Sequence, residues 1–182
     1  MVWIIVGAVV VITLLVIAGI YNKLVVLRNR VKDQWAQVDV QLKKRSNLIP
    51  NLVETVKGYA KHEKETFESV IEARKQFDNA SSPEAEMAAS NSLTGALGRL
   101  FAIAEAYPEL KANENFLDLQ QQLKDVEDKI AMARQFYNDT VLSYNNKVEM
   151  FPSNIIAGMF KFEKSSFFEA LEAEKAVPKV KF

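Results

Sequence analysis

The segment Val2–Ile20 reads VWIIVGAVVVITLLVIAGI, and its reading decides the class of this protein. It holds no charged residue, and Thr13 is its one polar side chain. Its nineteen residues rise roughly 28 Å as a helix, close to the thickness of a bilayer's hydrocarbon core. Trp3 and Tyr21 stand near the two ends, where amphipathic rings prefer the membrane interface. A cleaved signal peptide calls for a basic leader, a shorter apolar stretch and an A-x-A-like site. Here no basic residue precedes the run, and Ala18-Gly19-Ile20 is a poor cleavage site. A buried soluble helix fits no better, because the run is apolar on every face. The expectation is an uncleaved transmembrane anchor over residues 1–21.

Working outward, the flanks give the anchor a direction. Lys23, Arg28, Arg30 and Lys32 follow the span with only Asp33 against them, while the chain amine alone precedes it. The positive-inside rule then expects the N-terminus outside and the remaining domain in the cytoplasm. The 182 residues carry zero formal net charge, so no global field draws the chain to nucleic acid. There are no cysteines, which excludes disulfides, thiolate metal sites and a thiol nucleophile. Only 6 glycines and 5 prolines interrupt the chain, and that scarcity favours long helices.

Beyond the span, apolar residues recur by threes and fours. Leu24, Leu27, Val31, Trp35, Val38 and Leu42 begin one stripe; Ile49, Leu52, Val56, Tyr59, Phe67, Val70 and Phe77 continue it. Pro50 interrupts this run and is the candidate kink, expected to bend the helix or split it near Ser46. Ser82-Pro83 then caps a second helix, with Glu84 and Glu86 at its positive end. A last stripe runs from Phe116 through Ile130 and Tyr144 to Phe151. The pattern predicts helices over about 22–78, 83–106 and 113–150, joined by short connections. The fold class is all-α: a single transmembrane helix continuing into an antiparallel long-helix bundle over 22–151. An aromatic tail, 152–182, follows, with a helical look over Leu171–Ala176. Its Phe160, Phe162, Phe167 and Phe168 either cover the bundle's remaining groove or form an interface with another copy or the bilayer.

Two stretches carry a resemblance. WAQVDVQLKKRSNLIPNLVETVKGYAKHE, Trp35–Glu63, and ARQFYNDTVLSYNNKVEMFPSNIIA, Ala133–Ala157, together with the aromatic tail, strongly resemble the bacterial LemA family. With the anchor, the resemblance covers nearly the whole chain. It implies a bacterial inner-membrane protein with a helical-bundle domain, and it carries no catalytic residues.

The inventory of chemistry agrees with that. His62-Glu63 begins like a metalloprotease helix, but position 66 is threonine and His62 is the only histidine, so H-E-x-x-H fails. The lack of cysteine excludes Cys-His catalysis. Asp125, Glu127 and Asp128 read as a solvated acidic face, and Lys43-Lys44-Arg45 as a solvated basic one. Tyr137-Asn138 and Tyr144-Asn145 repeat at seven residues, which suits an interhelical hydrogen-bond layer or a binding site. The expectation is a non-enzymatic scaffold or adaptor at the inner membrane, without cofactor. Its expected partners are the bilayer and copies of itself, or another membrane protein. A regulatory subunit of a membrane protease or kinase is the alternative.

Overall fold

A computed structural model describes residues 1–169. The segment Leu171–Ala176 lies outside the described residues. The fold is all-α, with six helices among the described residues: α1 Val2–Lys57, α2 Lys64–Asp78, α3 Pro83–Ala104, α4 Pro108–Lys111, α5 Glu114–Glu149 and α6 Ser153–Met159. The chain divides into two compact units.

The first unit comprises Met1–Ala36 and Gln135–Phe167. Here the early part of α1 lies against the late part of α5 and α6. Leu24, Leu27 and Val31 are buried, as are Tyr137, Val141 and Tyr144. The Trp35 and Tyr137 rings meet edge to face at 5.4 Å, a favoured aromatic geometry.

The second unit comprises Gln37–Arg134 and Phe168. Its core draws Ile49, Leu52 and Val56 from α1, Phe67 and Val70 from α2, Leu93, Leu97 and Leu100 from α3, Leu110 from α4, and Phe116 and Leu123 from α5. The α1 and α5 segments run antiparallel: Arg45 of α1 bonds Glu127 of α5, and Tyr59, two residues past the end of α1, bonds Asn113, the residue before α5 begins. The Ser82 side chain accepts the Ala85 N–H at 3.2 Å, with Pro83 following at the first helical position, so α3 begins on a capping residue.

The structure departs from the expected helices at Pro50, at Gly58–Glu63 and within the tail. The stretch 22–78 is broken at Gly58–Glu63, not at Pro50, through which α1 continues. Ile49, Leu52 and Val53 flank Pro50 and are buried, so tertiary packing holds the turn that the proline disfavours. At the true break, the apolar stripe loses phase: Lys61, His62, Glu63 and Lys64 offer nothing to bury, and Gly58 is a weak helix former. The third departure is α6, a helix within the tail. Its Ser153, Ile156 and Ala157 face inward while Ile155 and Met159 are exposed.

After α6 the chain reverses in a Schellman-type turn. Phe162 N–H reaches the Ala157 carbonyl at 2.9 Å, and Lys161 takes a left-handed φ of 53°. Glycine is the usual residue there, because a Cβ in this conformation is disfavoured by about 1 kcal/mol. The turn decides the fate of the tail aromatics: Phe160 is left half exposed and Phe162 is buried.

Candidate functional site

The apolar segment forms the first five turns of α1. Its most apolar window has a mean hydropathy of 2.9, none of it is buried, and it is the one helix among the described residues long and apolar enough to cross a membrane. Thr13 Oγ1 donates to the Val9 carbonyl at 2.8 Å, so the single polar side chain is satisfied within the helix, as hydrocarbon requires. Burial begins only at the end of the run. Residues 1–16 are exposed, and Ile17, Ile20 and Tyr21 are half-buried.

Tyr21 is where the first unit meets the span. Its ring lies 4.8 Å from Phe160 and 5.7 Å from Phe162, and the Arg28 guanidinium stands 4.9 Å over the Phe162 ring. Of the four tail aromatics, Phe162 and Phe168 are buried within the chain, the placement that covering a groove calls for. Phe160 and Phe167 keep 50% and 43% of their surface. The exposed group also includes Met150, Ile155 and Met159, and Phe151, which the apolar stripe places at the end of the core face but which is 79% exposed. The four-residue step from Ile155 to Met159 is legible in the sequence, within the segment 152–182.

The Tyr-Asn repeat binds the tail itself. Tyr144 Oη donates to the Glu163 carbonyl at 2.8 Å, and Tyr137 Oη to the Ser166 carbonyl at 2.8 Å. Asn145 donates to the Ser165 carbonyl and accepts the Ser165 N–H, both at 2.9 Å. These bonds satisfy backbone groups of residues 163–166, which lie in no helix or strand among the described residues, so side chains supply the partners. Burial pushes the Tyr144 hydroxyl above its ordinary pKa; Arg28 opposes the shift and Glu163 adds to it.

In the second unit the centre is Arg45, which is 1% exposed. Its guanidinium donates to Ser90 Oγ at 2.7 Å, the Ser90 carbonyl at 3.1 Å, Thr94 Oγ1 at 2.9 Å and Glu127 Oε1 at 2.9 Å. The expected solvated basic face is therefore corrected: Lys43 and Lys44 are exposed, but Arg45 is core. Glu127 likewise leaves the expected acidic face to pair with it. Arg45 falls on the α1 stripe between Leu42 and Ile49, and that placement was the signal in the sequence. Beside this cluster, α3 and α5 line an open groove of about 820 Å³, with Leu97, Gly98, Phe101 and Leu117 along its wall. Phe168 is buried in the same unit, with the Arg134 guanidinium 4.6 Å from its ring centre.

Other residues take quieter places. Arg74 pairs with Asp78 on its own helix and donates to Ser46 Oγ, whose hydroxyl bonds Asp78. His62 is exposed between α1 and α2. Among the described residues, no three His, Cys, Asp or Glu side chains gather as metal ligands. The arrangement is one of contacts: an uncovered apolar helix, an aromatic patch beside its end, and a bundle tied by buried polar bonds.

A model of the LemA family matches residues 34–182. Magnetosome protein MamQ 2 of Paramagnetospirillum magneticum is 24% identical over 175 aligned residues, covering 82% of this chain and 64% of the relative. Protein LemA of Metamycoplasma hominis is 26% identical over 164, covering 88% of this chain and 74% of the relative. MamQ of Magnetospirillum gryphiswaldense is 24% identical, with 81% and 64% covered. The chain thus spans less than two thirds of the magnetosome relatives' length. The family match includes the Arg45 segment, the Tyr-Asn repeat and the aromatic tail, and on it the chain belongs to the LemA family.

Proposed function

We propose that this protein is a membrane-anchored scaffold that acts by association, holding copies of itself or a partner at the bacterial inner membrane. The observation that carries the reading is the uncovered helix: residues 1–16 are apolar and exposed, on a helix that continues to Lys57. In water so large an apolar surface is untenable, and a bilayer removes the cost. Lys23, Arg30 and Lys32 beyond the span are exposed, which favours a cytoplasmic bundle by the positive-inside rule. In this account the chain acts by association, and its one histidine is exposed.

The test is the mass of the full chain purified in mild detergent at several concentrations. A defined homo-oligomer, or a stoichiometric co-purifying protein, supports the reading. A clean monomer at every concentration, alone, contradicts it. A second reading, a regulatory subunit of a membrane protease or kinase, is favoured by the open groove between α3 and α5. A co-purifying membrane enzyme whose activity changes on removing this chain distinguishes that reading from self-assembly.

A further inference from the structure

We propose that α6 and the turn after it form a second membrane contact, in which Phe151, Ile155, Met159 and Phe160 enter the interfacial layer of the leaflet where the anchor exits. The inference rests on the reading that Val2–Ile20 spans the bilayer. Three observations, all within the first unit, carry it.

The first is level. Tyr21 ends the apolar run, and Phe160 lies against its ring at 4.8 Å. A spanning helix puts Tyr21 at the headgroups, so Phe160 is fixed at the same depth. The second is the sidedness of α6. Ser153, Ile156 and Ala157 are buried, whereas Phe151 is 79% and Met159 67% exposed. Ile155 and Met159 step by four along α6, and Met150 and Phe151, just before the helix, add to the same exposed group. That is the pattern of a short interfacial helix: one side packed on the protein, the other apolar and open.

The third is charge. Lys161 is exposed, directly after Phe160, in the left-handed position that glycine fills best. A lysine in that conformation points to a use for its ammonium. Lys23 is exposed two residues after Tyr21. Cations bordering an apolar patch at headgroup level suit an anionic lipid surface. A second copy of the chain would explain the apolar side, but neither the shared depth with Tyr21 nor the flanking lysines.

The chain has no cysteine, so single labels are clean. Nitroxides are placed at Thr13→Cys, Met159→Cys and Asp125→Cys in the full chain, reconstituted in phosphatidylcholine–phosphatidylglycerol vesicles. Collision with oxygen is compared with collision with a water-soluble nickel chelate. The expected result is a several-fold preference for oxygen at positions 13 and 159, and for the nickel chelate at 125. A lipid reading at 13 with a water reading at 159 overturns this proposal and leaves the anchor standing. Water readings at both overturn the anchor and this proposal with it. Protection of 159 from both reagents, with broadening between labels, assigns the patch to a second copy and also overturns the proposal.

Discussion

The Asn145 side chain and the Ser165 backbone are joined by two reciprocal hydrogen bonds of 2.9 Å each. Asn145 is 7% exposed, so this amide replaces a strand partner in a nearly dry place. Asn145→Ala strands one backbone donor and one acceptor, and should destabilise the fold by about 1–3 kcal/mol. Tyr144→Phe, which frees only the Glu163 carbonyl, should cost about 1 kcal/mol. Thermal unfolding in detergent checks the ranking, and limited proteolysis should cut Asn145→Ala first within 163–167. Equal resistance of variant and parent to the protease would contradict the clasp.

Arg45 supplies a second prediction. Its charge is buried while that of Glu127 is 41% exposed, so the two ends of the pair are not equivalent. Arg45→Met should cost about 3 kcal/mol or more, because Ser90 and Thr94 lose their shared donor in the core. Glu127→Gln should cost only about 1 kcal/mol, since solvent and the remaining acceptors share the charge. Arg45→Lys should recover little, as an ammonium lacks the fork that reaches three residues. Denaturant midpoints decide; a larger loss for Glu127→Gln than for Arg45→Met would sink the assignment.

Lys161→Gly should stabilise the protein by about 1 kcal/mol, because it relieves a left-handed lysine. The same change should weaken the tail's contact with anionic vesicles. Opposite signs for stability and for lipid contact identify a residue kept for its charge. A destabilised glycine variant would count against the turn described here.

Glu86 titrates against stability. Burial raises its pKa above 4.5 and the Asp39 carboxylate adds to the rise, while Lys43 opposes it. Its Oε2 is buried without a partner, and Lys43 is drawn instead to Asp39 at 2.7 Å. The folded state therefore holds the proton more tightly than the unfolded chain. Stability from this group is present below the ordinary carboxylate pKa and is lost as pH rises through the raised value. Glu86→Gln should stabilise at neutral pH and flatten the stability profile between those two points. Unfolding midpoints measured across that window test it, and an unchanged slope would be the contrary result.

Much of the fold was legible because long helices repeat their message. Val2–Ile20 and the stripes through Leu24–Leu42 and Phe116–Tyr144 each state one periodicity many times. Short features were not. Gly58–Glu63 ends a helix by offering nothing to bury, a weak signal among residues that are otherwise good helix formers. The seven residues of α6 are too few to establish a period. Arg45 was masked by Lys43 and Lys44, whose company suggested a wet face, although its step from Leu42 placed it inward. The contrast between Phe160 and Phe162 lies across a turn whose left-handed residue is Lys161, and composition does not encode it.

The central claim is that Val2–Ile20 holds this bundle in a membrane. Washing membranes from expressing cells at high pH strips peripheral proteins and leaves spanning ones. The account predicts that the full chain stays with the membrane pellet, and that Asp125→Cys resists an impermeant maleimide until the cells are opened. Release of the chain into the alkaline supernatant would contradict it.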